Sequence, residues 1–178
     1  TFTSFAKISA PMIPFITENI YRNVYCGHVN SEYIGKEIRH LLLHSKENIS
    51  DKCEMFLFLS DRAQHIETLI KPSIQDGKIV LCDRHTDSTI AYQGFGRGQD
   101  INLLKTLNEI ATGETKPDLT LFYDVDCETA MKRIGKEQDR MESEGIEFHK
   151  KVRNGYLALQ KENPERIKII NAEKDRKS

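Results

Sequence analysis

Two near-continuous apolar runs, KIVLC at 78–82 and LTLFYDV at 119–125, confine this chain more than any other feature. Gly77 bounds the first and Lys116-Pro117-Asp118 the second, which is how strands buried on both faces look. RIKIIN at 166–171 is a third run, and helical periodicity fills the intervals at about 100–112 and 127–161. Strand, helix, strand, helix, strand predicts an α/β fold, a parallel sheet flanked by helices with right-handed crossovers. In such sheets a ligand lies beyond the carboxyl ends of the strands, where Asp83-Arg84-His85 follows the first run.

Upstream, Ile34, Ile38, Leu41 and Leu42 take helical spacing, with Lys36, Glu37 and His40 outward. From Asp51 to Ile70 a longer helix carries Met55, Leu59, Ala63, Ile66 and Ile70 on one face and Phe58 and Arg62 on another, and Pro72 closes it. With 38% hydrophobic and 30% charged residues, 178 residues suffice for a single core. A net charge of −1 gives no general reason to expect nucleic acid or an anionic membrane as partner, so any anion site must be local. No apolar run approaches the roughly 20 residues of a membrane span. Cysteines 26, 53, 82 and 127 stand too far apart for a paired motif and read as reduced thiols, which places the chain in the cytoplasm.

Asp83 can hold Mg²⁺ or its water, and Arg84 offers a planar fork to phosphate oxygens; the same two residues also read as a salt-bridged strand cap. His40 and His44 have the spacing of a metal pair, yet no third ligand is near and no metal is assigned to them.

DRHTDSTIAYQGFGRG at 83–98 closely resembles the thymidylate kinases. The likeness extends through IGKEIRHLLL, FLFLSDRAQHI, PDLTLFYDVDCETAMKRI and the segment from Gln138 to Asp175, and covers about residues 31–175. It implies a P-loop nucleoside monophosphate kinase-like fold, phosphoryl transfer from ATP with Mg²⁺ to dTMP, and a homodimer. On this resemblance Phe58 stacks on thymine and Arg62 contacts the base or the monophosphate. Arg39, Arg62 and Arg84 converge on the dTMP phosphate. Ser88, Thr89, Tyr92 and Gln93 meet the thymine edge and sugar, and Tyr156 closes the pocket. Read without the family, Phe58 and Tyr156 are core aromatics. Lys132, Arg133, Lys136 and Arg140 form a basic lid, with Arg133 and Arg140 as catalytic arginines beside Arg84 and Asp83; read alone, that stretch is a solvated helix face.

The chain departs from the family in one block. It has no match to G-x-x-x-x-G-K-[ST], the backbone cradle of ATP phosphates. The nearest string, NSEYIGKE at 30–37, has Asn30 where the first glycine belongs and falls in a helical pattern. Instead, APMIPFITENIYRNV resembles the anticodon-binding helical region of isoleucyl-type class I aminoacyl-tRNA synthetases, and Pro11 and Pro14 argue against a central strand there. Residues 1–30 are expected to be a foreign or replaced, mainly helical segment, with the kinase-like domain spanning 31–178 and lacking its phosphate-loop strand. Runs 78–82 and 119–125 are then expected first to pair directly, with the N-terminal segment lying over the gap, or an unstable chain with exposed edges, as the alternatives in that order.

Overall fold

In the computed structural model, residues 7–9, 33–45, 47–133 and 140–173 are described. The described strands form one parallel sheet ordered β1 (Lys7–Ser9), β2 (Thr120–Asp124), β3 (Ile167–Asn171). Lys7 aligns with Thr120 and Ser9 with Phe122; across the other edge Thr120 aligns with Ile167 and Asp124 with Asn171. The α/β expectation is met, with two differences in the strands.

Residues 78–82 join no ladder, so the expected pairing with 119–125 does not occur. The run instead buries Val80 and Cys82 against Ile66 and Ile70. Apolar character secures burial, whereas a strand also needs a neighbouring backbone at register. The position beside β2 is held by β1, a strand from the segment expected to be mainly helical. Pro11, Pro14 and the pattern 15–25 lie outside the described residues.

Helix α1 (Tyr33–His44) buries Leu42, while Ile34 and Leu41 are more than half exposed. Helix α2 (Asp51–His65) begins at Ser50, whose side chain accepts from the Cys53 N–H. Pro72 does not close it. The chain widens into a π-helical turn at Ile66–Ile70, where the Lys71 N–H reaches the Ile66 carbonyl, and continues as α3 (Lys71–Gln75). The wider turn precedes a residue that cannot donate to the ladder, and Gly77, at φ 72°, follows the end of the helix.

Helix α4 (Thr86–Thr89) runs directly into a second π-helical stretch, Ile90–Gly96, whose end is marked by the Arg97 N–H on the Tyr92 carbonyl at 2.9 Å. Asp100 caps α5 (Ile101–Thr112) by accepting from the Leu103 N–H at 2.8 Å. The pattern at 127–161 resolves into α6 (Cys127–Arg133) and α7 (Ile146–Glu162). Met55, Leu59, Ile90, Tyr92, Leu104, Phe122, Val152, Tyr156, Leu159 and Ile167 form the main core, so the sheet, α2, α5, α7 and the π-helical stretch share one interior. Arg166, just before β3, pairs bidentately with Asp87 on α4 at 2.7 and 2.8 Å, and Thr120 of β2 donates to the same carboxylate at 2.9 Å.

Candidate functional site: two rungs around Phe58

Glu54, Phe58 and Arg62 follow one another at four-residue intervals along α2, hence on one stripe of its surface. The facing stripe comes from His85, Thr89 and Gln93, running antiparallel to it. Arg62 Nη1 donates to Thr89 Oγ1 at 2.7 Å and to Asn108 Oδ1 of α5 at 3.0 Å, and Nη2 donates to the His85 carbonyl at 3.0 Å. At the other end Gln93 Nε2 donates to Glu54 Oε1 at 3.1 Å. Phe58, packed against the main core, stands on α2 between these two rungs.

Each rung has its own electrostatics. Burial pushes the Arg62 guanidinium below its usual value. Three of its five N–H groups are used by the bonds above, which leaves two for another acceptor. Burial pushes the Glu54 carboxyl up, but hydrogen bonds and charge from Arg97 and Arg140 overcome it and hold the group below the ordinary carboxylate range. Arg97 Nε reaches Glu54 Oε1 at 3.3 Å and Nη2 reaches Oε2 at 3.3 Å, and Arg140 Nη2 also donates to Oε2.

The other predicted residues divide into a group near this stripe and a group away from it. Arg84 has φ 58°, the left-handed region that a non-glycine residue occupies at a cost of about 1–3 kcal/mol. Its guanidinium carbon lies 4.9 Å from the centre of the Tyr92 ring. Ser88 Oγ and Tyr156 OH are 2.6 Å apart, and Tyr156 stacks on Phe122 at 4.9 Å between ring centres with an 8° interplanar angle. Tyr156 is fully buried, with its hydroxyl against Ser88 of α4.

Arg39 is turned to solvent, its side chain 67% exposed in a loose 3.8 Å ion pair with Asp61, and no described contact joins it to Arg62 or Arg84. Arg133 donates to the Ala172 and Glu173 carbonyls at 2.7 and 2.6 Å, beyond the end of β3. Arg140 donates through Nε to the Leu42 carbonyl at 2.9 Å as well as to Glu54. The two arginines expected together in a lid are thus held on different elements; Lys136 lies outside the described residues.

Asp83 follows the buried Cys82 and offers one hard oxygen ligand or water acceptor. Among the described residues no group of three or more His, Cys, Asp or Glu could hold a metal. That donor set fits a Mg²⁺ that arrives on phosphates, which needs only one or two carboxylates, and does not fit an all-protein metal cage. Gly35 and Lys36 of the string nearest to a phosphate loop lie in the first turn of α1, with Asn30 where the first glycine of the motif belongs and Glu37 where its Ser or Thr belongs.

Sequence reasoning missed Glu54, Arg97 and Asn108. Glu54 continues the stripe of Phe58 and Arg62 one turn before Phe58, but in the first turn of α2 a carboxylate reads as a charge on the helix dipole. Asn108 carried no signal, being one polar residue on an otherwise amphipathic helix.

The model of the family described as "Thymidylate kinase" matches residues 16–178. The thymidylate kinase of Desulfovibrio desulfuricans is 45% identical over 149 residues, covering 78% of this chain and 69% of that protein. That of Trichodesmium erythraeum is 50% identical over 141 residues, covering 76% and 63%. A crystal structure of the thymidylate kinase from Ehrlichia chaffeensis superposes with a TM-score of 0.70 and 27% identity over 97% of this chain and 90% of that one. The family model spans β2, β3, the π-helical stretch and α7, and the chain belongs to the thymidylate kinase family of nucleoside monophosphate kinases.

Proposed function

We propose that this chain binds dTMP at the stripe between α2 and the π-helical stretch, in a site built for phosphoryl transfer from ATP to dTMP giving dTDP, for dTTP synthesis. The bracketing of Phe58 by the Glu54–Gln93 and Arg62–Thr89 rungs carries this reading. An aromatic face between a cation and an amide suits a flat base with polar edges. Phe58 stacks on thymine, Arg62 serves the base or the monophosphate, and Arg84 serves the phosphate. Ser88, Thr89 and Gln93 meet the base edge and sugar, Tyr92 disfavours a ribose 2′-hydroxyl, and Tyr156 holds Ser88 in place. Mg²⁺ carried on ATP neutralises phosphate charge when bound, with Asp83 as the residue that would hold it or its water.

Transfer by these 178 residues is impaired, because no string in them matches G-x-x-x-x-G-K-[ST]: Gly35-Lys36, Gly77-Lys78 and Gly135-Lys136 are all followed by a residue other than Ser or Thr. The same observation favours a second reading, a non-catalytic thymidine-nucleotide-binding protein. It also supports a chain joined from two genes or an in-frame deletion around residues 25–31, which resequencing the locus across codons 20–35 tests. Calorimetry with dTMP, dUMP and the ribonucleotide, together with thermal shifts in dTMP and in ATP, tests the binding reading. Tight dTMP binding with little stabilisation by ATP is expected; no dTMP binding overturns it. A homodimer is proposed on the exposed Ile34 and Leu41, one above the other on α1, and on the exposed Phe56 of α2, with light scattering as its test.

A further inference from the structure

The Gln93 side-chain amide could face Glu54 with its NH₂ or with its oxygen, and its surroundings decide between them. Glu54 is fully buried, and its two oxygens receive hydrogen bonds from Arg97 and Arg140. A carboxylate held ionised in this way has no proton to give and acts only as an acceptor. The Gln93 amide must therefore turn its NH₂ to Glu54, as the 3.1 Å bond from Nε2 to Oε1 records. Its Oε1 then points away from Glu54 and accepts no hydrogen bond among the described residues. Gln93 is itself 2% exposed, so rotation would have to occur inside the packed interior.

We infer that Glu54 is a specificity-positioning residue: by fixing the Gln93 amide it makes Gln93 an acceptor-only reader, which selects a base edge carrying an N–H donor. This rests on the dTMP-site reading above. Thymine carries a donor at N3, whereas 5-methylcytosine carries an acceptor there and is otherwise nearly the same shape. The carboxylate of Glu54 touches no base in this scheme and acts through Gln93 alone. Removing its charge frees the amide to turn over, because a neutral amide at position 54 can accept from Gln93 or donate to it.

The test compares dTMP with 5-methyl-dCMP by calorimetry in the parent, in Glu54→Gln, and in the exchanged pair Glu54→Gln with Gln93→Glu. A carboxylate at position 93 is again acceptor-only, so the exchanged pair should restore the preference. The parent should favour dTMP, Glu54→Gln should lose about tenfold or more of that preference, and the exchanged pair should return to within about threefold of the parent. Urea unfolding without nucleotide supplies a second readout. Gln93→Glu alone sets two carboxylates side by side and should unfold at lower urea, and adding Glu54→Gln should recover it. Should Glu54→Gln fail to fold alone, the exchanged pair and Gln93→Glu decide the matter by the same two readouts. An unmoved preference in Glu54→Gln, or no recovery in the exchanged pair, overturns the inference. A parent that binds neither nucleotide overturns the dTMP-site reading, and the base-selecting role with it, while the urea series still reports the Glu54–Gln93 contact separately.

Discussion

The hydroxyls of Ser88 and Tyr156 meet at 2.6 Å although 68 positions separate them in the chain, and Phe122 lies flat against the tyrosine ring at their back. One contact thereby joins the short helix after Asp83, the middle strand and α7. Tyr156→Phe keeps the ring stack and deletes only the hydroxyl, which should cost about 0.5–1.5 kcal/mol of stability and weaken dTMP binding by a similar amount. Urea midpoints and calorimetry on the same preparation check both; an unchanged nucleotide affinity would separate Ser88 from the site.

Arg62→Ala should weaken dTMP binding by about 1.5–3 kcal/mol if the guanidinium makes a charge-assisted contact. It should also lower stability, since Thr89, Asn108 and the His85 carbonyl lose their shared donor. Stability that falls while dTMP affinity measured on the folded protein stays constant would leave Arg62 a structural brace only.

The Glu54 carboxyl is depressed in the folded chain, so its contribution is present above the unfolded value of about 4.3 and fades as pH falls through the lower folded value. Glu54→Gln should therefore be less stable than the parent at pH 7, and the gap should close as the pH drops below about 4. Glu54→Ala, which removes the carboxylate shared by two guanidiniums while Arg97 keeps Glu144 and Arg140 keeps the Leu42 carbonyl, should cost about 1–3 kcal/mol at neutral pH. Denaturation series at both pH values check this, and a gap that widens in acid would contradict it.

Gly155 of α7 lies against Phe95, and a Cβ there would come 2.9 Å from the ring. Gly96 faces α7 in return, where a Cβ would meet Phe148 at 2.6 Å. Gly155→Ala should destabilise by about 1–3 kcal/mol through overpacking. A thermal midpoint equal to that of the parent would show that Phe95 can move aside.

A coupled assay should find little or no ADP formed from ATP and dTMP by this chain, since positioning of the donor phosphates alone is worth roughly 7–11 kcal/mol of barrier. Turnover on the order of 1–100 s⁻¹, ordinary for a kinase, would refute the impairment.

Periodicity located β2, β3, α5 and α7 because each is long enough for its apolar repeat to outweigh local accident. It failed at 78–82, whose Val80 and Cys82 are as buried as a strand's would be, because burial is written in side chains and pairing is a relation with another segment. Pro72 misled for a related reason: a helix can widen by one residue and pass over a proline that would stop it at regular pitch. At the site, Phe58, Arg62, Thr89 and Gln93 were legible through the family likeness. Glu54 was not, since a glutamate in the first turn of a helix reads as a favourable charge on the helix dipole. Its hidden position emerges only when Arg97 and Arg140 fold onto it from distant stretches.

The π-helical stretch Ile90–Gly96 imposes a reading frame on this part of the chain. One residue more per turn than an α-helix needs means that deleting any single position there would let the backbone relax to regular pitch. The side chains inside the stretch would then turn about the axis, by up to about 100° for a one-residue shift of register. Gln93 would leave Glu54, and Gly96 would present a different residue to Phe148. Lineages carrying this architecture can exchange residues in the stretch, but they should not shorten it. Its length is a more durable trait than its spelling.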